Sequence, residues 1–381
     1  MVLKVASRGR AVSPFIVMDV MRAAAQREAE GAEVLHLEVG QPGTPAPEKV
    51  IDAAKNALDR DLIGYTDARG TASLRARIAR HYQDQYGLPV DPERVMVTTG
   101  SSGGFLLSFL SAFDPGDRVA LAAPGYPAYR NILQALGVEP VLLTSTLEHR
   151  FQPTVGLLER AGQLDGLIVA SPSNPAGTML DDGELAALAG YCTANDIRLI
   201  SDEIYHGISY GHRAVSALAH SPDAIIINSF SKYFSMTGWR LGWMVVPEDL
   251  LRPAECLAQN LFISAPALSQ TAGEAAFDCG DVLDGYVATY ARNRRLLLEE
   301  LPKAGFSTMA PADGAFYIYA DISDLTDDSE AYCRRMLAET GIAATPGVDF
   351  DPARGHHFLR FSFAGPEADI AEAAKRLQAW V

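Results

Sequence analysis

A lysine follows an apolar run in this sequence, at a point where an isolated ammonium group would be costly to desolvate. Ser229, Ser231 and Lys232 stand close together, and Arg240 ends the motif M-T-G-W-R just downstream. A lysine amine in apolar surroundings loses its proton readily and can form a Schiff base with a carbonyl carbon. Ser229 and Arg240 could grip a phosphate, because a hydroxyl donates one hydrogen bond and a guanidinium binds two oxygens. Taken singly, each is equally compatible with a surface lysine, a salt-bridged arginine or a turn serine.

Other polar side chains follow other apolar runs. Asp202 and Tyr205 come after the run that begins at Ile197, and Asn174 follows the run that ends at Ala170. A carboxylate in this position can keep a heteroaromatic ring nitrogen protonated, which makes the ring an electron sink. Tyr205 and Asn174 could both hydrogen-bond to a phenolate oxygen of such a ring. The alternative is an N-capping aspartate with a packing tyrosine, and an ordinary Asn-Pro turn.

A loop rich in glycine and serine lies between a strand-like run and a helical one. Its amides and hydroxyls, from Thr99 to Gly104, would point at an anion on the helix N-terminus. The same residues spell G-x-S-x-G around Ser102, the pattern of a nucleophile elbow. A serine hydrolase is therefore a competing hypothesis, with His206, His212 or His356 completing a triad. G-x-G-x-x-G and Walker loops are absent from the sequence, which excludes the commonest dinucleotide and nucleoside-triphosphate sites.

One arginine stands inside an apolar and aromatic run near the end of the chain. Arg360 lies between Phe358 and Phe363. A guanidinium buried there needs an anion, and the carboxylate of a substrate could supply one with two parallel hydrogen bonds. The alternative is an internal salt bridge with an acidic neighbour.

Composition restricts the class of partner. The sequence has 32 Lys plus Arg against 47 Asp plus Glu, a formal net charge of −15, which repels nucleic acid. Its four cysteines form no C-x-x-C pair, so neither a disulfide framework nor a metal site is expected. Met1 to Arg10 lack the apolar run of a signal peptide, and no later stretch is long enough to span a bilayer. We expect a cytoplasmic protein without a membrane or metal partner.

A scaffold of parallel strands is needed to bring these side chains together. Apolar runs alternate with amphipathic helical patterns from about Ala46 to Val246, which indicates an α/β domain whose mostly parallel sheet is covered by helices. The remainder predicts a smaller α+β domain. We predict a large domain over 46–285 and a small domain built from 1–45 and 286–381, with the N-terminal helix, roughly Pro14 to Glu30, packed on the C-terminal part. The predicted strands are Arg94–Thr98, Arg118–Leu121, Gly166–Ala170, Ile197–Ser201, Ala224–Asn228, Leu241–Val246, Ala315–Ala320 and His357–Phe363.

With these motifs together, the chain resembles the fold-type I, class I/II aminotransferases over nearly its whole length. The resemblance implies an aspartate-aminotransferase-like fold with a seven-stranded-type sheet, and pyridoxal 5'-phosphate as cofactor. It also implies transfer of the amino group of an L-amino acid to a 2-oxo acid. Lys232 matches the Schiff-base lysine, and Asp202 and Tyr205 match the ring ligands of the family. The other residues that match the cofactor site are Ser101, Ser102, Gly103, Tyr126, Asn174, Ser229, Ser231 and Arg240.

The resemblance also assigns substrate-binding residues and a partner. Arg360 matches the arginine that binds the α-carboxylate, with Asn174 and Gly40 beside it. Tyr65 resembles a tyrosine that reaches the cofactor phosphate of the partner subunit, which implies a homodimer with shared sites. Phe15, Ile16 and Tyr317 are candidate pocket residues by resemblance.

The family pattern leaves the substrate open. Aspartate-specific relatives carry a lysine in the phosphate loop, where this chain has Ser102 or Gly103, so aspartate is in doubt as the amino donor. A β-elimination on the same cofactor, such as the cleavage of a C–S bond, would need the same residues and stays an alternative.

Overall fold

A seven-stranded sheet forms the centre of the computed structural model, which describes residues 3–380. The strand order is β2-β8-β7-β6-β5-β3-β4, and β8 is antiparallel to both of its neighbours while the other pairings are parallel. The predicted α/β class with a mostly parallel sheet is confirmed. The strands of this sheet are β2 (Val95–Thr98), β3 (Arg118–Ala123), β4 (Glu139–Thr144), β5 (Gly166–Ala170), β6 (Arg198–Asp202), β7 (Ile225–Ser229) and β8 (Gly242–Val245).

Side chains on the two faces of this sheet enter two separate cores. In β2, Val95 and Val97 belong to one apolar cluster and Met96 belongs to another. Helices cover both clusters, which is why most of these strands read as continuous apolar runs. Strand β4 was not among the predicted strands. It is an edge strand that begins Glu-Pro and stays partly exposed, so its sequence lacks that signal.

The helices that enclose the sheets include segments near both ends of the chain. They are α1 (Ser7–Ala11), α2 (Ile16–Ala29), α3 (Glu48–Arg60), α4 (Ala72–Tyr86), α5 (Gly100–Ala112), α6 (Pro127–Leu136), α7 (Val155–Ala161), α8 (Asp182–Ala194), α9 (Glu248–Leu261), α10 (Ala267–Ala276), α11 (Gly280–Glu300), α12 (Ser329–Thr340) and α13 (Glu367–Trp380). Within residues 3–380, none of them is both long enough and apolar enough to cross a membrane.

A second, antiparallel sheet lies in the C-terminal part, in the order β12-β13-β10-β9. Helix α2 packs here as expected, since Ala24 shares an apolar cluster with Leu337 and Ala343. The strands are β9 (Thr308–Met309), β10 (Tyr317–Asp321), β12 (Thr345–Pro346) and β13 (Phe358–Ser362), with the separate pair β1 (Leu35–His36) and β11 (Ile342–Ala343).

The division of the chain into two domains stays a prediction. The proposed boundary after residue 285 falls within α11, whose Leu283 lies in the core beside the large sheet and whose Leu297 lies in the core beside the small one. This long helix thus joins the two regions. Residues 1, 2 and 381 of the predicted small domain lie outside the described residues.

Candidate active site

A cavity of about 500 Å³ opens where strands of the large sheet end. Asp202 ends β6 beside Ala170, its partner at the end of β5, so the chain segments that follow these strands start at one edge. The cavity collects most of the predicted site residues, although they come from distant parts of the chain. Those that line it are Gly40, Ser101, Ser102, Tyr126, Asn174, Asp202, Tyr205, Ser231, Lys232, Arg240 and Arg360.

Lys232 extends into this cavity, half-buried, after the end of β7. Its Nζ donates a hydrogen bond to the carbonyl of Gly40 and lies 5.7 Å from the centre of the Tyr205 ring. Burial and, to a smaller extent, the nearby Arg360 guanidinium lower the pKa of Lys232 to about 8, against the opposing charge of Asp202. The amine therefore loses its proton at a much lower pH than an exposed lysine does.

This shift predicts how Lys232 reacts with pH. Below about pH 8 the amine is protonated and unreactive, and above that pH it is a free nucleophile, so brief labelling of ligand-free protein with an acylating reagent should show a midpoint near pH 8. Mass spectrometry of the Lys232 peptide measures it. The exposed Lys303 is the internal control, because its hydrogen bond to Glu300 raises its pKa. A Lys232 midpoint near 10.5, the ordinary lysine value, would contradict the burial argument.

Asp202 supplies a buried carboxylate to the same cavity. It accepts hydrogen bonds from the Tyr129 hydroxyl and, at 3.0 Å, from the backbone N–H of Ile204. Burial raises the pKa of Asp202 to about 6, against these hydrogen bonds and the charge of Lys232. At neutral pH the group is mainly ionised, and no salt bridge joins it to a cation within residues 3–380. Sequence reasoning did not find Tyr129, because only the packing of α6 brings it to Asp202.

Arg360 projects from β13 into the far side of the cavity and is buried. It donates to Asn174 Oδ1 at 2.8 Å, to Thr345 Oγ1 at 3.2 Å and to the carbonyl of Glu38. These partners are neutral, and no carboxylate in the described part of the chain forms an ion pair with Arg360. The internal salt bridge considered as an alternative is therefore not formed, and the guanidinium charge remains available to an anion in the cavity.

Tyr205 and Tyr317 form the wall between Lys232 and Arg360. Their hydroxyls lie 2.6 Å apart, and the Arg360 guanidinium stacks 4.3 Å from the centre of the Tyr317 ring. Gly40 is needed at this point, since a Cβ there would lie 2.1 Å from the Tyr317 hydroxyl oxygen. The carbonyl of Gly40 also accepts the hydrogen bond of Lys232. The Gly40 backbone therefore helps to position both the lysine and the tyrosine.

The N-terminus of α5 and Arg240 surround the part of the cavity that suits an anion. Ser101 and Ser102 lie in the first turn of α5, and Ser231 and Arg240 line the same cavity. Gly100 has φ +69°, and a Cβ on it would lie 2.6 Å from Arg240 Nη2. A helix N-terminus, several hydroxyls and a guanidinium form a donor set that fits a phosphate group.

Three of the residues predicted for the cofactor lie outside the cavity wall. Ser229 is buried behind Ser231, with its hydroxyl bonded to the Leu241 carbonyl at 3.0 Å. Gly103 is buried in α5, and Tyr65 is 84% exposed on the surface. Among residues 3–380, none of these three lines the cavity of its own chain.

Helix α2 contributes an apolar wall that sequence reasoning found only in part. Phe15 and Tyr317 line the cavity, as the resemblance suggested, whereas Ile16 does not. The aromatic ring of Phe15 meets that of Tyr126 edge-on, with centroids 5.8 Å apart. Val17, Met18 and Met21 of α2 also line the cavity, as does Val39 outside the helix, and none of the four was predicted.

The serine-hydrolase hypothesis is not supported by the structure. Within the described part of the chain, no hydrogen bond joins Ser102 to a histidine. His206 is buried, and its ring nitrogens are hydrogen-bonded to the Tyr86 hydroxyl at 2.8 Å and to the Ser171 carbonyl at 3.0 Å.

The residues 3–380 contain no group of three or more histidine, cysteine or acidic side chains arranged to hold a metal ion.

Known proteins resemble this chain over its full length. Residues 32–377 match the family described as aminotransferase class I and II. The valine–pyruvate aminotransferase of Mycobacterium tuberculosis is 52% identical over 375 residues, which cover 97% of each sequence. A crystal structure of an aminotransferase from M. tuberculosis superimposes with a TM-score of 0.97 at 51% identity and covers 100% of this chain and 99% of that chain. Aspartate aminotransferase from Thermus thermophilus, solved with maleate, covers both chains fully with a TM-score of 0.94 at 29% identity.

Proposed function

The chain belongs to the class I and II aminotransferase family and is an aminotransferase, and from this premise we propose that it binds pyridoxal 5'-phosphate through Lys232. The observation that carries the proposal is the meeting of three groups in one cavity: a lysine with a lowered pKa, a buried carboxylate without a cation partner in residues 3–380, and a buried guanidinium with neutral partners. Burying any one of these three groups without a partner costs free energy, and together they fit one cofactor and one amino acid substrate.

The side chains of the cavity match the parts of this cofactor. Asp202 suits the ring nitrogen, Asn174 and Tyr205 suit the phenolic oxygen, and Tyr126 suits the ring face. When bound, the cofactor supplies a carbonyl carbon for amines and a ring that withdraws electrons from the carbon being deprotonated. The residues proposed for the phosphate are Ser101, Ser102, Ser231 and Arg240 in the cavity wall, with Gly103 and Ser229 behind them.

The protein's own groups would carry out the remaining steps. Arg360 and Asn174 bind the α-carboxylate of the amino acid, with Gly40 at their side, and so orient its α-carbon. The Nζ of Lys232 accepts the α-proton and releases it again, which a pKa of about 8 allows in both directions near neutral pH. Asp202, whose pKa of about 6 lies below neutrality, would face the cofactor ring mainly in its ionised form.

An apolar amino acid is the donor that we propose, with pyruvate as acceptor. The cations that line the cavity are Lys232, Arg240 and Arg360, within residues 3–380, and each already has a role. None is left for the side-chain carboxylate of aspartate, whereas Val17 and Met21 offer an apolar wall. The name of the M. tuberculosis relative, valine–pyruvate aminotransferase, agrees with this choice.

A donor screen tests the proposed function. Purified enzyme with added cofactor should convert valine and pyruvate to alanine and the corresponding 2-oxo acid, at least about tenfold faster than it uses aspartate, because an unpaired carboxylate against an apolar wall costs more than 1 kcal/mol. Amino acid analysis measures both reactions. Incubation of a cysteine conjugate without acceptor tests the alternative, since pyruvate and ammonia would then reveal β-elimination. If none of the amino acids is converted, the proposal is wrong.

We also propose a cytoplasmic homodimer that shares its active sites. All four cysteines are free in the structure, as is usual in a reducing compartment. Tyr65 is 84% exposed and Leu62 is 97% exposed, and exposed apolar side chains close together often mark an interface. Sedimentation velocity should show a dimer, and a monomer at micromolar concentration would contradict the shared site.

A further inference from the structure

Helix α2 is capped by a carboxylate from the other end of the chain. The residue before the helix is Phe15, which has no side-chain acceptor for the free N–H groups of the first turn. Asp349 fills this role, since Oδ1 accepts from Ile16 N–H at 3.1 Å and Oδ2 accepts from Val17 N–H at 3.2 Å. Asp349 is 1% exposed, so both of these charge-assisted hydrogen bonds are shielded from water.

The capped turn is the part of α2 that faces the cavity. Phe15, Val17, Met18 and Met21 line it, and all four are apolar. The position of these side chains depends on where the first turn of α2 begins, and the two hydrogen bonds to Asp349 determine that point. A second contact holds the cap itself, because Arg130 donates to the backbone carbonyl of Asp349 at 2.7 Å.

Resting on the proposed function, we propose that Asp349 is a positioning residue that sets the preference for apolar amino acids by fixing the first turn of α2 as the wall for the substrate side chain. Asp349 itself need not touch the substrate. The effect of Asp349 on binding should therefore increase with the size of the substrate side chain that contacts this wall. The binding of alanine, whose methyl group is small, should depend on Asp349 least.

The surroundings of Asp349 suggest one competing role, which substrate choice can separate. The charge of Asp349 also acts on Arg360. If Asp349 served mainly to balance Arg360, its loss would alter the binding of the α-carboxylate, which every amino acid carries. The effect would then be equal for valine and alanine.

The variant Asp349→Asn tests the proposal in the enzyme with bound cofactor. The first half-reaction with each donor, followed by the cofactor's absorbance, should give an apparent Kd for valine about tenfold higher, or about 1.4 kcal/mol, with a maximal rate within about twofold, because Asn has one acceptor oxygen for the two N–H groups and loses one charge-assisted hydrogen bond. For alanine, the apparent Kd should stay within about twofold. Asp328→Asn is the matched control, since Asp328 caps α12 away from the cavity through Ala331 N–H. Equal changes for both donors, or none, overturn the proposal.

A second readout does not depend on turnover. Hydrogen–deuterium exchange of the peptide that contains Ile16 and Val17 should become faster in Asp349→Asn and stay unchanged in Asp328→Asn, because only the first variant loses charge at these amides. Unchanged exchange at these two amides would also overturn the proposal.

A milder variant keeps the test valid if Asp349→Asn does not fold. Met18 is 51% exposed and lines the cavity, so Met18→Ala should fold and lower the preference for valine over alanine. An unchanged preference would show that α2 does not select the side chain. Failure of the proposed function looks different, since the wild-type enzyme would then convert no amino acid at all.

Discussion

Replacing Lys232 with alanine is expected to lower transamination by more than about 10³-fold, the usual contribution of a positioned base, while the fold stays intact. The amine lies half-buried against Gly40 and Tyr205, and no other lysine lines the cavity in residues 3–380. No second lysine amine in the cavity is therefore placed to take over its proton transfer. Amino acid analysis of the valine and pyruvate reaction measures the loss.

A covalent readout accompanies this variant. Borohydride treatment of the wild-type enzyme should fix the cofactor's mass on the peptide that contains Lys232, and no cofactor should be fixed in Lys232→Ala. Lys303→Ala is the matched control, since Lys303 is exposed and pairs with Glu300, and it should keep full activity and labelling. Label on another lysine, or more than a tenth of wild-type activity in Lys232→Ala, would refute the assigned role.

Replacing Arg360 with alanine is expected to lower kcat/KM for valine by roughly 10²-fold or more, because truncation of one partner of a buried charge pair costs at least about 2–5 kcal/mol. Arg360 is 3% exposed, and its hydrogen-bond partners in residues 3–380 are all neutral. The substrate carboxylate would supply the directly bonded anion that Arg360 lacks within residues 3–380. Cofactor binding, measured by absorbance titration, should change little.

A substrate without a carboxylate separates this role from general damage to the cavity. Isobutylamine, which is valine without its carboxylate, should react poorly with the wild-type enzyme, and Arg360→Ala should lower this slow rate no further. Arg292→Ala is the control, because Arg292 forms an exposed salt bridge with Glu367 at 2.8 Å. An equal loss for valine and isobutylamine would mean that Arg360 acts on the structure and not on the carboxylate.

Residue type and local spacing predicted six of the seven strands of the large sheet and several of the residues that line the cavity at its edge, whereas Gly40 and Tyr126 were expected only from the resemblance to the family. Asp202, Asn174 and Lys232 each follow an apolar run, and segments that follow parallel strands begin at a common edge, so convergence could be predicted without knowing the packing. The class of fold followed from the same alternation. The edge strand β4 was not predicted, because strands were identified from continuous apolar runs, which arise when both faces of a strand are buried. A partly exposed edge strand that begins with Glu139 and Pro140 has no such run.

Tertiary structure alone decided which residues support these groups. Tyr129 meets Asp202, the Gly40 carbonyl meets Lys232, and Asp349 meets the start of α2 across 332 or 333 positions of sequence. Periodicity reports only whether a side chain faces a core or solvent, and it carries no information about the partner on another element. The choice between Ser102 as nucleophile and Ser102 as anion ligand was open for the same reason. The local motif is identical in both cases, and only the structure, which binds His206 to Tyr86 and the Ser171 carbonyl and joins no histidine to Ser102 within residues 3–380, speaks against the nucleophile.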